Sequence, residues 1–259
     1  MRLIIDQGNT ATKLHIATGS EIIESTSTEN EEMLEYVRQR IANDSFEAAI
    51  YSSVRREYDK RLINVMSRKI PHIVCMGNTT HLPIGIEYRT PDTLGHDRIA
   101  AAVGAWAQQP NRPLLVVDAG TAITYDLVSS KGKFMGGNIA AGIEMRLRAL
   151  HEHTGRLPLV NSNGELPLLG FDTETAIRAG ALQGAAYELE GYITACEAQN
   201  PGLLVFLTGG DAERLSTIIK RTIKRKARQR RKFSFLHLDR KSTRLNSSHV
   251  RVSRMPSSA

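Results

Sequence analysis

LIIDQGNTATKLHI at residues 3–16 and LVVDAGTAITYDLV at residues 115–128 are two versions of one phrase. In each, an apolar run enters Asp-x-Gly, passes a small polar residue and leaves through a second strand-like run. Asp6 matches Asp118, Gly8 matches Gly120, Asn9 matches Thr121 and Thr12 matches Thr124, all at an offset of 112 residues. A constant offset of domain size predicts two halves of one architecture facing each other across a cleft, each offering a hairpin. Glycine lets the backbone approach an anion closely, and successive N–H groups in a tight turn form a nest for phosphate oxygens. Each turn is therefore expected to present an acid and backbone amides to a phosphate chain.

Working outward, Met33, Leu34, Val37 and Ile41 recur at helical spacing, which predicts a helix over 30–42. Strands are expected at 48–54 and 70–76, with a helix at 58–69 between them. Residues 77–95 hold Gly77, Pro83, Gly85, Pro91 and Gly95, the composition of a long functional loop. An Ala-rich helix follows at 97–108, and Pro110 and Pro113 punctuate the boundary. Domains are thus expected at 1–113 and 114–222. In the second, the repeated hairpin leads to a strand from Phe134, a helix at 141–152, an irregular stretch at 155–172 and a long helix from Thr173 to about Gln199. Ala176, Ile177, Gly180, Ala181, Gly184 and Ala185 read as a close-packing stripe on that helix. A strand at 203–207, the turn Thr208-Gly209-Gly210-Asp211 and a final helix complete the half.

The chain has 259 residues and a net charge of +7. That charge misleads, because residues 220–259 carry 14 Lys/Arg and one acid, leaving the remainder at −6. The segment 223–259 is read as a basic tail. A solvated disordered arm, a nucleic-acid arm and translated non-native sequence are its three readings, and the last fits its Ser/Arg-rich end best. No aromatic interleaving supports base stacking, so nucleic acid is not an expected partner. No apolar run approaches the roughly 20 residues of a membrane span. A strand begins almost at once, so no secretory leader is expected. Cys75 and Cys196 fit no metal spacing and read as thiols of a reducing, cytoplasmic compartment.

Four motifs carry chemistry. In the first, Asp6 can hold Mg²⁺ directly or through water, Asn9 and Thr10 add polar groups, and Lys13 offsets phosphate charge. In the second, Asp118, flanked by carbonyl oxygens, suits a monovalent or divalent cation. The third, Thr208-Gly209-Gly210-Asp211-Ala212, lets a flat group such as adenine lie on the backbone, or is a simple strand-to-helix turn. The fourth is Gly95-His96-Asp97-Arg98. Its Asp97 reads either as a helix N-cap or as a base accepting a proton from an attacking hydroxyl. Arg98 can take a substrate carboxylate as a fork, and His96 is a neighbour of no fixed role.

The ordered set DxGNTxxK, GxDR, DxGTAxT and TGGDA resembles the type III pantothenate kinases, of the acetate and sugar kinase/Hsp70/actin superfamily, over about residues 1–222. The resemblance implies an α/β protein of two RNase H-like (actin-like ATPase) domains, with mixed β-sheets flanked by helices and a nucleotide cleft between them. It implies that Asp6, Gln7, Gly8, Asn9, Thr10, Ala11, Thr12, Lys13 and Thr121 bind ATP, and that Asp118 binds a monovalent cation, K⁺ or NH₄⁺. It assigns pantothenate to Tyr88, Gly95, His96, Asp97, Arg98 and Thr173, with Asp97 the catalytic base and Thr173 reaching across a homodimer interface. The implied reaction converts pantothenate and ATP to 4′-phosphopantothenate and ADP, the first step towards coenzyme A. Two alternatives remain on the same fold: a regulatory or nucleic-acid-binding accessory factor, and a kinase of another small hydroxy acid.

Overall fold

A computed structural model describes residues 1–8, 11–19, 21–53, 58–77, 80–226 and 235–237. The first apolar runs form β1 (Arg2–Gln7) and β2 (Ala11–Thr18), an antiparallel pair. They continue into β3 (Glu21–Glu29), then α1 (Met33–Asn43), β4 (Ala48–Ser53), α2 (Lys60–Ser67) and β5 (His72–Cys75). The sheet order is β3-β2-β1-β4-β5, with β4 and β5 parallel to β1. Alternation explains the layers: Leu3, Ile5, Leu14 and Ile16 share one face and are buried against Met33, Val37 and Ile41 of α1 and Leu62 and Met66 of α2. β3 escaped the sequence reading because EIIESTSTE offers the core only Ile22; Ile23 is exposed and the rest of this edge strand is polar.

The second sheet repeats the first. β7 (Leu114–Ala119), β8 (Ala122–Val128) and β9 (Lys133–Ala141) form an antiparallel set, α4 (Ile143–Glu152) and α5 (Thr173–Gln199) follow, and β10 (Leu204–Thr208) runs parallel to β7. β11 (Phe235–His237), within the basic segment, runs parallel to β10. Read as β9-β8-β7-β10-β11, the order matches that of the first sheet, strand for strand. The two-residue β6 (Gly85–Ile86) adds to the outer side of β9. α6 runs from Ala212 to Lys226. The rest of the basic segment, 227–234 and 238–259, lies outside the described residues.

Between the repeats, a 3₁₀ turn (Pro91–Thr93) leads to α3 (His96–Gln108). In sequence α3 closes the first repeat, but in packing it lies on the second sheet. Ile99, Ala102 and Ala105 join Leu114, Val116, Val128, Phe134, Leu204 and Phe206 in one core cluster. The apolar core therefore changes hands near residue 76, ahead of the expected boundary at 113. α5 and α4 cover the opposite face of the same sheet, through Ile177, Ala181, Leu182 and Ala185 against Leu115, Val117, Ile123 and Val205. Ile50, on the face of β4 shared with Ile4 and Asp6, packs against the α3 cluster, so that face of the first sheet is turned towards the second.

The stripe on α5 divides. Ala181 and Ala185 are buried, but Gly180 is exposed, with open space where a Cβ would stand. The glycines do not mediate close packing within this chain.

Candidate active site

The two hairpins are not superimposable, and the difference decides which side chains can meet a ligand. Three residues (8–10) join β1 to β2, whereas two (120–121) join β7 to β8. Asp6 consequently faces Lys13, while Asp118 faces Thr124. A one-residue slip turns a strand's side chains over. Thr12, the sequence counterpart of Thr124, points into the first core, where its Oγ1 donates to Asn30 Oδ1 at 2.7 Å. Gln7 is also internal: its Oε1 accepts from Tyr51 Oη at 2.6 Å and from Ser53 Oγ at 2.9 Å. The side chains of Gln7 and Thr12 therefore clamp the first sheet and are not placed for a nucleotide. Asp6 and Lys13 stand together on the face turned towards the second half, both exposed. The amide of Gly8 donates to Ala11 O and that of Gly120 to Ala122 O, so one N–H of each expected nest is spent closing its own turn. Asn9 and Thr10 lie outside the described residues.

Around the second hairpin three loops converge. Gly142 N donates to Thr121 O, and a Cβ on Gly142 would stand 2.1 Å from Gly120 O. Gly209, at φ +100°, leaves room for Ala119 O and Asp118 Oδ1, which a Cβ would meet at 2.1 and 2.4 Å. Asp211 N donates to Ala119 O. The TGGDA turn is thus locked onto the DAGTA turn, and Gly142, which the motifs did not single out, completes the corner. Thr124 shares the Asp118 face and, through its hydroxyl, helps to hold the Asp126 carboxyl ionised.

The third group is built by α3. Gly95 precedes the helix, and Asp97 sits in its first turn, exposed, with Oδ1 accepting from the Arg98 amide at 2.9 Å. Asp97 is not the N-cap, a position held by Gly95; any Cβ there would lie 2.4 Å from Asp97 Oδ1. Arg98 turns inward and is only 6% exposed. Its Nε and Nη2 both donate to Asp126 Oδ1, at 2.9 and 2.5 Å. The guanidinium lies between Tyr88 and Phe134, its carbon 5.7 Å from each ring centroid. Burial works against the charge on Arg98, but Asp126 and Tyr88 reverse the balance and hold the group more firmly protonated. Burial pushes the Asp126 carboxyl up; Arg98 pulls it down, and nearby Asp97 adds to the upward push. Asp126 escaped the sequence reading, although a lone acid in the apolar run YDLV was a signal. Tyr88 lies against Arg98, which follows Asp97 in the first turn of α3, and the Nε–Nη2 edge of the Arg98 fork is already occupied.

Thr173 is the exposed first residue of α5, whose entry is fixed by a capping box between Asp172 and Thr175. α5 covers one face of the second sheet and α3 the other, so the sheet stands between the helix of Thr173 and that of Arg98 within one chain. Among the described residues no group of three or more His, Cys, Asp or Glu could hold a metal. No helix of these residues is long and apolar enough to cross a membrane.

Paired sheets of this order, each with a β-hairpin, define the two-domain actin-like fold. Solved structures agree on the fold. A conserved putative Baf family transcriptional activator from Campylobacter jejuni aligns over 88% of this chain and 98% of its own, with TM-score 0.54 and 19% identity. A putative 2-dehydro-3-deoxygalactonokinase from Sinorhizobium meliloti aligns over 92% and 94%, with TM-score 0.54 and 12% identity. Sequence narrows the class: the type III pantothenate kinase family matches residues 2–195. The type III pantothenate kinase of Bacteroides fragilis (strain YCH46) is 44% identical over 225 residues, spanning 86% of this chain and 91% of its own. The chain belongs to the type III pantothenate kinase family.

Proposed function

We propose that the chain transfers the γ-phosphoryl group of ATP to the hydroxyl of pantothenate, with Asp97 as the base and the two hairpins as the phosphate sites. The observation that carries this reading is the family match across residues 2–195, with Asp97 exposed beside the buried Arg98, which half-buried Tyr88 flanks. Phosphoryl transfer asks little covalent chemistry of a protein; positioning and charge neutralisation do the work. Lys13 and the turns at Gly8 and Gly120–Thr121 face the phosphates, and Asp97 takes the proton of the attacking hydroxyl.

Two ions fit the residues present. Asp118 and the Thr124 hydroxyl share a face, an all-oxygen set suited to K⁺ or NH₄⁺. Asp6, exposed beside Lys13, suits Mg²⁺ held through water. Bound, Mg²⁺ would neutralise charge developing on the phosphates.

The protein acts as a homodimer in this reading. Thr173 cannot meet Arg98 through its own sheet, but a second copy can present it. Leu168, Leu169 and Phe171, just ahead of Thr173, are 59%, 83% and 69% exposed, an apolar surface that a partner copy would cover.

The test is a coupled ADP-release assay with pantothenate, ATP and Mg²⁺, with and without K⁺. Pantothenate-dependent ADP release, increased by K⁺, is expected. Folded protein that releases ADP only with a different hydroxy acid would overturn the substrate assignment.

A further inference from the structure

Arg98 does not meet the acceptor as a free cation, because another residue has already chosen its orientation. Arginine carries five N–H donors in a rigid fork, which can meet a carboxylate along its Nε–Nη2 edge or at its Nη1–Nη2 end. Here that edge is committed to Asp126 Oδ1. Asp126 is 1% exposed, and Arg98 and Thr124 both help to hold its carboxyl ionised. A buried carboxylate is costly unless it is paired, and the guanidinium supplies the pair. Space has also been cleared for the pair: a Cβ on Gly137 would stand 2.3 Å from Asp126 Oδ1 and 2.8 Å from Arg98 Nη2. Tyr88 and Phe134 close the two sides of the guanidinium. Every wall around Arg98 fixes the same orientation.

We propose that Asp126 is a positioning residue of the acceptor site: by holding the Nε–Nη2 edge of Arg98, it leaves the Nη1–Nη2 end of the guanidinium to bind the substrate carboxylate. The pair is neutral overall, so the carboxylate is recognised by direction more than by net charge. Asp126 touches neither substrate nor phosphate; it acts through Arg98. This rests on the pantothenate kinase reading and adds a residue to it.

Steady-state kinetics of Asp126→Asn, Arg98→Lys and the double variant test the proposal, with thermal melts confirming folding. Asp126→Asn should raise the pantothenate KM roughly 10–100-fold, since a misplacement of about 1 Å carries such a penalty. The ATP KM and kcat should stay within about threefold of wild type. Because Asp126 acts through Arg98, the double variant should be no worse than Arg98→Lys alone. Equal changes in both KM values, or additive losses in the double variant, would overturn the proposal. If Asp126→Asn fails to fold, Asp126→Glu keeps the charge but moves it by one methylene. It should show the same selective rise, and a wild-type pantothenate KM in that variant would sink the idea. A wild-type enzyme without pantothenate-dependent turnover would instead sink the kinase reading itself, so the two failures are distinguishable.

Discussion

At the scale of single residues, position on a strand or helix outweighs chemical type. Gln7 and Thr12 are polar, flank the turn of the first Asp-x-Gly motif and are nonetheless interior clamps. Asp97 keeps its carboxylate exposed in the first turn of α3, next to an arginine that is almost wholly buried. As a general base it should contribute about 10²–10⁴-fold. Asp97→Asn is therefore expected to lose kcat by that factor while ATP still protects the protein against thermal unfolding. Wild-type turnover in that variant would remove Asp97 from the chemistry. The GxDR motif was legible because its residues are adjacent in sequence. Asp126, 28 positions from Arg98, was not, because only the sheet brings the two together.

At the scale of elements, glycines mark where one loop rests on another. Gly142 precedes α4 and abuts the β7–β8 turn with no room for a side chain. Gly142→Ala should displace Gly120 and Thr121, raising the ATP KM several-fold and destabilising the protein by about 1–3 kcal/mol, a typical overpacking cost. Urea denaturation and ATP titration check both parts; an unchanged ATP KM would detach this corner from the nucleotide. α4 is tied to α5 through Arg146, which donates to Ala141 O and to Glu188, while Glu188 also accepts from Tyr125 Oη.

At the start of α5, amide and side-chain hydrogen bonds from Thr175 hold the Asp172 carboxyl below its ordinary 3.8. A depressed carboxyl stabilises the fold above its unfolded value, and that contribution fades as pH falls through the folded value. Asp172→Ala should therefore lower Tm at pH 7, and the gap from wild type should narrow below about pH 4. A gap that is constant across that range would mean that the cap's charge is immaterial. Element existence was readable along most of the chain because the apolar periods were clear. β3 was not, since an edge strand with one buried residue leaves no period to read.

For the whole molecule, the outward face of α5 is where oligomeric state can be tested. Gly180 faces open space in the single chain, so Gly180→Leu should leave the monomer folded and even favour the helix. If a second copy packs there, sedimentation should show a dimer for wild type and a monomer for the variant. The monomer should also show a raised pantothenate KM as Thr173 is withdrawn. A wild-type monomer would end the homodimer proposal, and a dimeric Gly180→Leu would move the interface elsewhere.

The repeat at an offset of 112 residues announced two halves of one architecture, and the two sheets carry the same strand order, because apolar alternation and Asp-x-Gly turns are local properties of the chain. The same repeat also suggested that matching residues do matching work, which tertiary structure denied. A hairpin shorter by one residue turns Thr124 towards Asp118 while Thr12 faces the core. Tertiary structure alone decided that α3 leaves its own half for the second sheet, and that Asp126 turns the edge of Arg98. Both depend on which surfaces are buried together, and burial is settled between segments far apart in sequence.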